Sequence, residues 1–257
     1  MRVPLTGTVC LTASARNRWC FQSIEWNDAL AKVQHHLPSS CHFVLPDLPG
    51  VVTSEMKKGF LGAVPKDKRI QTVAACRHTI QSLSNLQINS DHLLIVGGNE
   101  KGNGNLTTVE SVRILRERKE GATIWATANP NCESSVSSVF EKLGSGVSGI
   151  VLQPIFSSKA ASVLEEYPSE ITYVAGMALP RTAKSLLFWE NLLEQPDLSD
   201  DPLFQRHLTY FTDRRSSQAW AQEQLAMIES IPCISGVHFM PLKNTKDLIS
   251  LLQRGDS

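Results

Sequence analysis

The chain has 257 residues, 42% hydrophobic and 19% charged, enough apolar material for one sizeable core. Lys+Arg and Asp+Glu both number 25, so no net charge draws it to nucleic acid or to a membrane surface. No apolar run approaches the ~20 residues of a membrane span, and six scattered cysteines with no CxxC pair read as reduced thiols of a reducing, cytoplasmic compartment.

Residues 1–24 carry Arg2, Arg16 and Arg18 and no acid, a composition that organelle transit peptides share. Thr8–Ala13 reads instead as a first buried strand. Glu25–His36 follows with apolar positions Trp26, Leu30 and Val33 at helical spacing. Cys41–Leu45 is expected as the second strand, ending at Pro46-Asp47-Leu48-Pro49-Gly50. Residues 51–69 read as a weak helix and a loop with a local basic cluster, Lys57, Lys58, Lys66, Lys68 and Arg69, taken as a solvated face.

Ile70–Cys76 is the third strand, Arg77–Leu86 a helix and His92–Val96 the fourth strand. A glycine-rich loop, 97–105, leads to a helix with a capping box, in which Thr107 caps and Glu110 reaches back. That loop lacks both the dinucleotide GxGxxG and the phosphate-loop GK[ST]. Ala122–Ala128 is the fifth strand, ending at Asn129-Pro130-Asn131, and Glu133–Leu143 a helix closed by Gly144. Gly149–Leu152 is the sixth strand, with Gln153 at its end and Pro154 limiting further pairing. Ser157–Tyr167 reads as a helix, Ile171–Ala175 as the seventh strand and Thr182–Glu194 as a helix. A polar insertion with a short helix spans 196–213, and a further helix spans Ser216–Ile231. Gly236–Met240 is the eighth strand and Thr245–Gln253 a closing helix.

Eight short apolar strands alternating with helices predict a parallel α/β fold. At this length the expectation is one domain, a single (β/α)8 TIM barrel over 1–257, with a helical insertion between strands seven and eight. Ligands of such barrels bind where strands end and βα loops begin. The strand ends offer Ser14, Arg16, Asp47, Cys76, Arg77, Asn99, Glu100, Asn129, Asn131, Gln153, Phe156, Arg181, His238 and Met240. Each of these is equally open to a backbone-satisfying role. Lys142 falls at the C-terminal part of a helix, where a cation is favourable. No HExxH, no paired Cys/His spacing and no GxSxG elbow is present, so metal hydrolysis and acyl transfer rank low.

Gly149-Ile-Val-Leu-Gln-Pro-Ile-Phe156, Val174-Ala-Gly-Met-Ala-Leu-Pro-Arg181 and Gly236-Val-His-Phe-Met240 resemble the methylenetetrahydrofolate reductases in order and spacing. Leu93-Leu-Ile-Val-Gly-Gly-Asn99 fits the same pattern, and the likeness covers roughly residues 88–245. The resemblance implies a (β/α)8 barrel, a folate substrate and reduction of its methylene bridge to a methyl group, usually with FAD and NAD(P)H. It implies that Gln153 hydrogen-bonds the pterin, that Phe156 lies near the stacked rings and that Arg181 also meets the substrate. It implies cofactor-side roles for Asn99, Asn129 and Lys142. Asp47 and Glu100 are the candidates for proton transfer.

The sequence departs from the family pattern at four points. Asn99 stands where the family has an aspartate, and Asn129 stands where it has a tyrosine. The family's following histidine and its strand-one glutamate have no counterpart. NAD(P)H is therefore the expected hydride source, and FAD is left open between a bound flavin and direct transfer. Two other readings stand beside reduction. One is a catalytically silent folate- or nucleotide-binding barrel, and the other is a pterin-dependent methyltransferase. The expected partner is a small folate, with no nucleic acid and no membrane.

Overall fold

A computed structural model describes residues 8–12, 42–45, 54–97, 106–118, 121–193, 195, 197–212, 216–240 and 251. The strands are β1 (Thr8–Thr12), β2 (His42–Leu45), β3 (Arg69–Ala74), β4 (His92–Val96), β5 (Thr123–Ala128), β6 (Gly149–Pro154), β7 (Thr172–Ala178) and β8 (Ile234–Met240). Each pairs in parallel with the next in chain order. β8 returns to β1 from Thr8↔Gly236 to Leu11↔Phe239, so the sheet closes. The helices are α1 (Ser54–Ala63), α2 (Ile80–Ser84), α3 (Thr108–Arg118), α4 (Ser135–Gly144), α5 (Ala160–Glu165), α6 (Ala183–Leu193), α7 (Pro202–Thr212) and α8 (Ser217–Glu229). Each strand from β2 to β7 is thus followed by helix, and α7 and α8 lie between β7 and β8. The expected helices at 25–36 and 245–253 fall outside the described residues, except for Leu251, which is helical and buried.

Two apolar layers follow from strand alternation. Val44, Ile70, Leu94, Val151 and Val174, with Val96 and Trp125 against them, fill the inside of the sheet. Their neighbours in sequence, such as Phe43, Leu93, Ile95, Ile150, Leu152, Tyr173 and Ala175, pack outward against the helices. Trp125 reaches its place because its register partner is Gly149. A Cβ at Gly149 would lie 2.2 Å from the indole ring, so only glycine leaves room for it.

The floor of the barrel is tied by arginines. Arg116 of α3 donates to the carbonyls of Gly146 and Ala122 and to Ser148, and Arg118 donates to the carbonyls of Leu83 and Leu86. The basic group at the start of β3 has the same character. Arg69 donates to the carbonyls of Leu61 and Val64, and Lys66 pairs with Asp91 at 3.1 Å. These contacts sit at the end of the sheet opposite the strand C-termini.

Several boundaries shift for local reasons. The expected helix Arg77–Leu86 shortens to α2, because Cys76 N–H bonds the Gly97 carbonyl and Thr79 caps a new start. The expected helix from Ser157 begins only at Ala160, because Ser157 and Ser158 are bound elsewhere. β7 runs on to Ala178, since Gly176, Met177 and Ala178 pair with His238, Phe239 and Met240. The capping box of α3 forms as expected, with Thr107 N–H donating to Glu110 at 2.8 Å and Glu110 N–H to Thr107 Oγ1 at 3.2 Å.

Candidate functional site

Gln153 lies near the C-terminal end of β6. Val151 of the inner layer and Leu152 of the outer layer precede it, and it falls in the stretch between the Val151↔Val174 and Pro154↔Gly176 pairs, at the strand end above the apolar plug. It is half-buried, and its amide makes no hydrogen bond with a described residue. An amide offers two donors and an acceptor with two lone pairs, so this one retains its capacity to read a planar polar edge.

The backbone at this point is not a plain strand. Val151 pairs with Val174, but Pro154 pairs with Gly176, so three residues of β6 advance against two of β7. This bulge draws β6 across Gly176. A Cβ there would sit 2.3 Å from the Leu152 carbonyl oxygen and 2.6 Å from the Met240 methyl carbon. Bulges commonly re-aim a side chain at the rim of a barrel, and here the re-aimed segment is the one that carries Gln153.

Two side chains from elsewhere then hold the loop after β6. Asn131 donates to the Pro154 carbonyl at 2.8 Å, and its oxygen accepts the N–H groups of Phe156 at 2.7 Å and Ser157 at 2.8 Å. Asp201 accepts from Ser157 Oγ at 2.9 Å, from Ser158 N–H and Oγ at 3.0 Å, and from Leu203 N–H at 2.8 Å. Asp201 thereby caps α7, whose first residue is Pro202, a favoured helix opening. Partial burial raises the Asp201 carboxyl, but these donors outweigh it and leave its pKa below the usual value.

The insertion between β7 and β8 is therefore part of the core. α7 buries Phe204, His207, Tyr210 and Phe211. Phe156 packs edge-on against Phe204 and His207, with ring centroids 5.9 and 6.2 Å away. Trp220 Nε1–H donates to His207 Nδ1 at 3.1 Å, so the His207 proton sits on Nε2. Burial, with Arg206 adding to it and Asp201 opposing it, pushes this histidine down to about 4.

The expected site residues separate into three groups. Gln153 stands at the mouth, and so does Arg181. The Arg181 backbone N–H donates to Ser185 at the start of α6, while its exposed guanidinium pairs with no described residue. Phe156, Asn129 and Lys142 are engaged in the fold. Phe156 is 1% exposed and faces α7, so it does not offer a stacking surface in the mouth. Asn129 Oδ1 accepts from Asn131 N–H at 3.1 Å and Nδ2 at 2.8 Å. Lys142 Nζ donates to the Thr127 carbonyl at 2.8 Å, and burial lowers its pKa, with Glu141 opposing. Asp47, Asn99 and Glu100 lie outside the described residues. His238 is a buried strand residue, pushed down to about 4 by burial.

The two described candidates on the cofactor side, Asn129 and Lys142, make their hydrogen bonds to neighbouring protein groups. Asn131 takes the backbone-satisfying role left open for the strand-end residues, whereas Asp201 is the residue whose part the sequence concealed. Asp201-Pro202 was readable as a helix start, but its bonds to Ser157 and Ser158 join residues more than 40 positions apart. No group of three or more His, Cys, Asp or Glu side chains among the described residues is arranged to hold a metal ion. No described helix is long and apolar enough to cross a membrane.

No protein-family model matches the chain, and no curated protein matches it. Solved structures do resemble it. An uncharacterized protein from Clostridium thermocellum that binds two copies of 5-methyl-5,6,7,8-tetrahydrofolic acid superposes with a TM-score of 0.68 at 12% identity, covering 96% of this chain and 93% of that one. Phosphonopyruvate hydrolase in complex with oxalate and Mg++ gives 0.55 at 8% identity, over 97% of this chain and 81% of that one. The 2,3-dimethylmalate lyase of the PEP mutase/isocitrate lyase superfamily gives 0.53 at 11%, over 98% and 81%. At these identities the likeness is one of fold.

Proposed function

We propose that this chain binds a reduced folate of the methyltetrahydrofolate type at the C-terminal mouth of a (β/α)8 barrel, with the Gln153 amide reading the pterin edge. The observation that carries the reading is the Gln153 amide itself. It is half-buried, braced from behind by a held loop, and unspent on described protein groups. The similar fold of the Clostridium thermocellum protein, with its two bound methyltetrahydrofolates, supports a folate as the ligand. Arg181 supplies an exposed guanidinium, unpaired among the described residues, at the adjacent strand end, suited to the carboxylates of a folate tail.

Calorimetric titration with 5-methyltetrahydrofolate tests the reading. Binding is expected, and Gln153→Ala weakens it by about tenfold with an unchanged urea midpoint. Absence of binding by the native chain would sink the proposal.

A second reading is that the same site reduces 5,10-methylenetetrahydrofolate to 5-methyltetrahydrofolate with NAD(P)H. The resemblance of 149–156, 174–181 and 236–240 to the reductases favours it, as does the neighbour's ligand, the product of that reaction. On this reading Gln153 holds the pterin, and Asp47 or Glu100 supplies the proton. Oxidation of NADPH or NADH that requires methylenetetrahydrofolate separates catalysis from binding alone.

A further inference from the structure

We infer that Asp201 is a positioning residue for Gln153, and that α7 is a fixed buttress of the ligand loop rather than a module of its own. The inference rests on the folate reading of the mouth. β6 pairs with β7 only as far as Pro154↔Gly176. Beyond that point the segment from Pro154 to Ser158 is held by two side chains. Asn131 takes the Pro154 carbonyl and the N–H groups of Phe156 and Ser157. Asp201 takes Ser157 Oγ and both Ser158 donors.

The Asp201 carboxylate is itself fixed. Its second duty is to Leu203 N–H at the start of α7, and α7 is anchored through Phe204 and His207 against Phe156. Donors therefore converge on one anion from the loop and from the helix. Such charge-assisted bonds are short, directional and stronger than neutral ones. An amide in the same place replaces one acceptor oxygen with a donor, which then faces N–H and O–H groups. The loop loses its far anchor, while the strand that precedes it stays paired. Gln153 lies in the bulge just before the Pro154↔Gly176 pair, and the loop pinned by Asn131 and Asp201 starts at the next residue, so a shift of that loop is passed to the bulge that carries Gln153.

The experiment compares Asp201→Asn, Gln153→Ala and the double variant with the native chain. In Asp201→Asn the Phe156–Ser158 amides exchange at least about tenfold faster, while the amides of β4 and β7 keep their protection. Affinity for 5-methyltetrahydrofolate falls about tenfold. In the Gln153→Ala background the same change has little further effect, because Asp201 acts through Gln153. Additive losses, or native affinity in Asp201→Asn, would overturn the positioning role. Failure of the native chain to bind removes the folate reading instead. The exchange arm then decides the anchor alone, and unchanged protection at Phe156–Ser158 overturns it.

Discussion

One side-chain oxygen of Asn131 accepts the backbone N–H groups of both Phe156 and Ser157, at 2.7 and 2.8 Å. The same amide donates to the Pro154 carbonyl at 2.8 Å, so one residue after β5 fixes the loop after β6. Asn131→Ala leaves two donors and one acceptor unmet in a part-buried place. The expected cost is roughly 2–4 kcal/mol, read as a lower urea midpoint with an unchanged slope. A native midpoint would mean that water replaces these bonds, and the one to Asn129 Oδ1, without loss.

Local signals are legible in the sequence, and remote ones are not. β4 is found at His92–Val96, as its unbroken apolar run suggested, and the Thr107–Glu110 capping box spans only three positions. The parallel α/β class followed from the alternation of such runs with helical spacing. The bulge at Gln153 could not be read, because it depends on how Gly176 of another strand meets the Leu152 carbonyl. The insertion read as polar, yet Phe204, His207 and Phe211 recur at helical spacing and bury one face of α7. Phe156 shows the same limit. A phenylalanine after a strand end suits a stacking role or a core role equally, and only the presence of Phe204 and His207 beside it decides for the core.

Gly176→Ala tests the bulge. The new methyl meets the Leu152 carbonyl oxygen at 2.3 Å, and that atom belongs to a paired strand that cannot swing away. Overpacking of this kind costs roughly 1–3 kcal/mol, which for a chain of this size lowers Tm by roughly 3–10 °C. Gly144→Ala is the control. Nothing lies within 4 Å of its added methyl, so Tm stays level or rises slightly. Equal effects of the two substitutions would dismiss the close approach at Gly176.

His207 and His238 set a sign for the pH dependence. Burial holds both near 4 in the folded chain, below the ordinary histidine value of about 6.5. Between those values the unfolded chain binds protons that the folded chain does not. Stability is therefore full above about pH 6.5 and is lost as pH falls toward 4, by up to about 3 kcal/mol for each histidine. Asp201 and Arg206 are the charged groups that act on His207, in opposite senses. His207→Gln keeps an acceptor for the Trp220 N–H but cannot titrate. Chemical denaturation at pH 4.5, 5.5 and 6.5 should show a shallower loss in this variant. The same slope as the native chain would remove His207 from the acid response.

Arg181 and Lys142 are both cations to which the family resemblance gives ligand roles, and the structure gives them opposite circumstances. Arg181 is exposed at the end of β7, and its guanidinium has no partner among the described residues. Lys142 is half-buried and donates to the Thr127 carbonyl. A free exposed guanidinium gains a modest Coulomb term when a carboxylate arrives, and salt screens it. Arg181→Ala is thus expected to weaken 5-methyltetrahydrofolate binding about two- to fivefold, with a smaller salt dependence than the native chain. Lys142→Met exchanges a desolvated ammonium for a flexible apolar chain of similar reach. It leaves the Thr127 carbonyl without this donor and affects stability, while folate affinity stays native. Calorimetry at two ionic strengths reads both variants. Loss of affinity in Lys142→Met with none in Arg181→Ala would reverse the two roles, and would return Lys142 to the ligand side of the barrel.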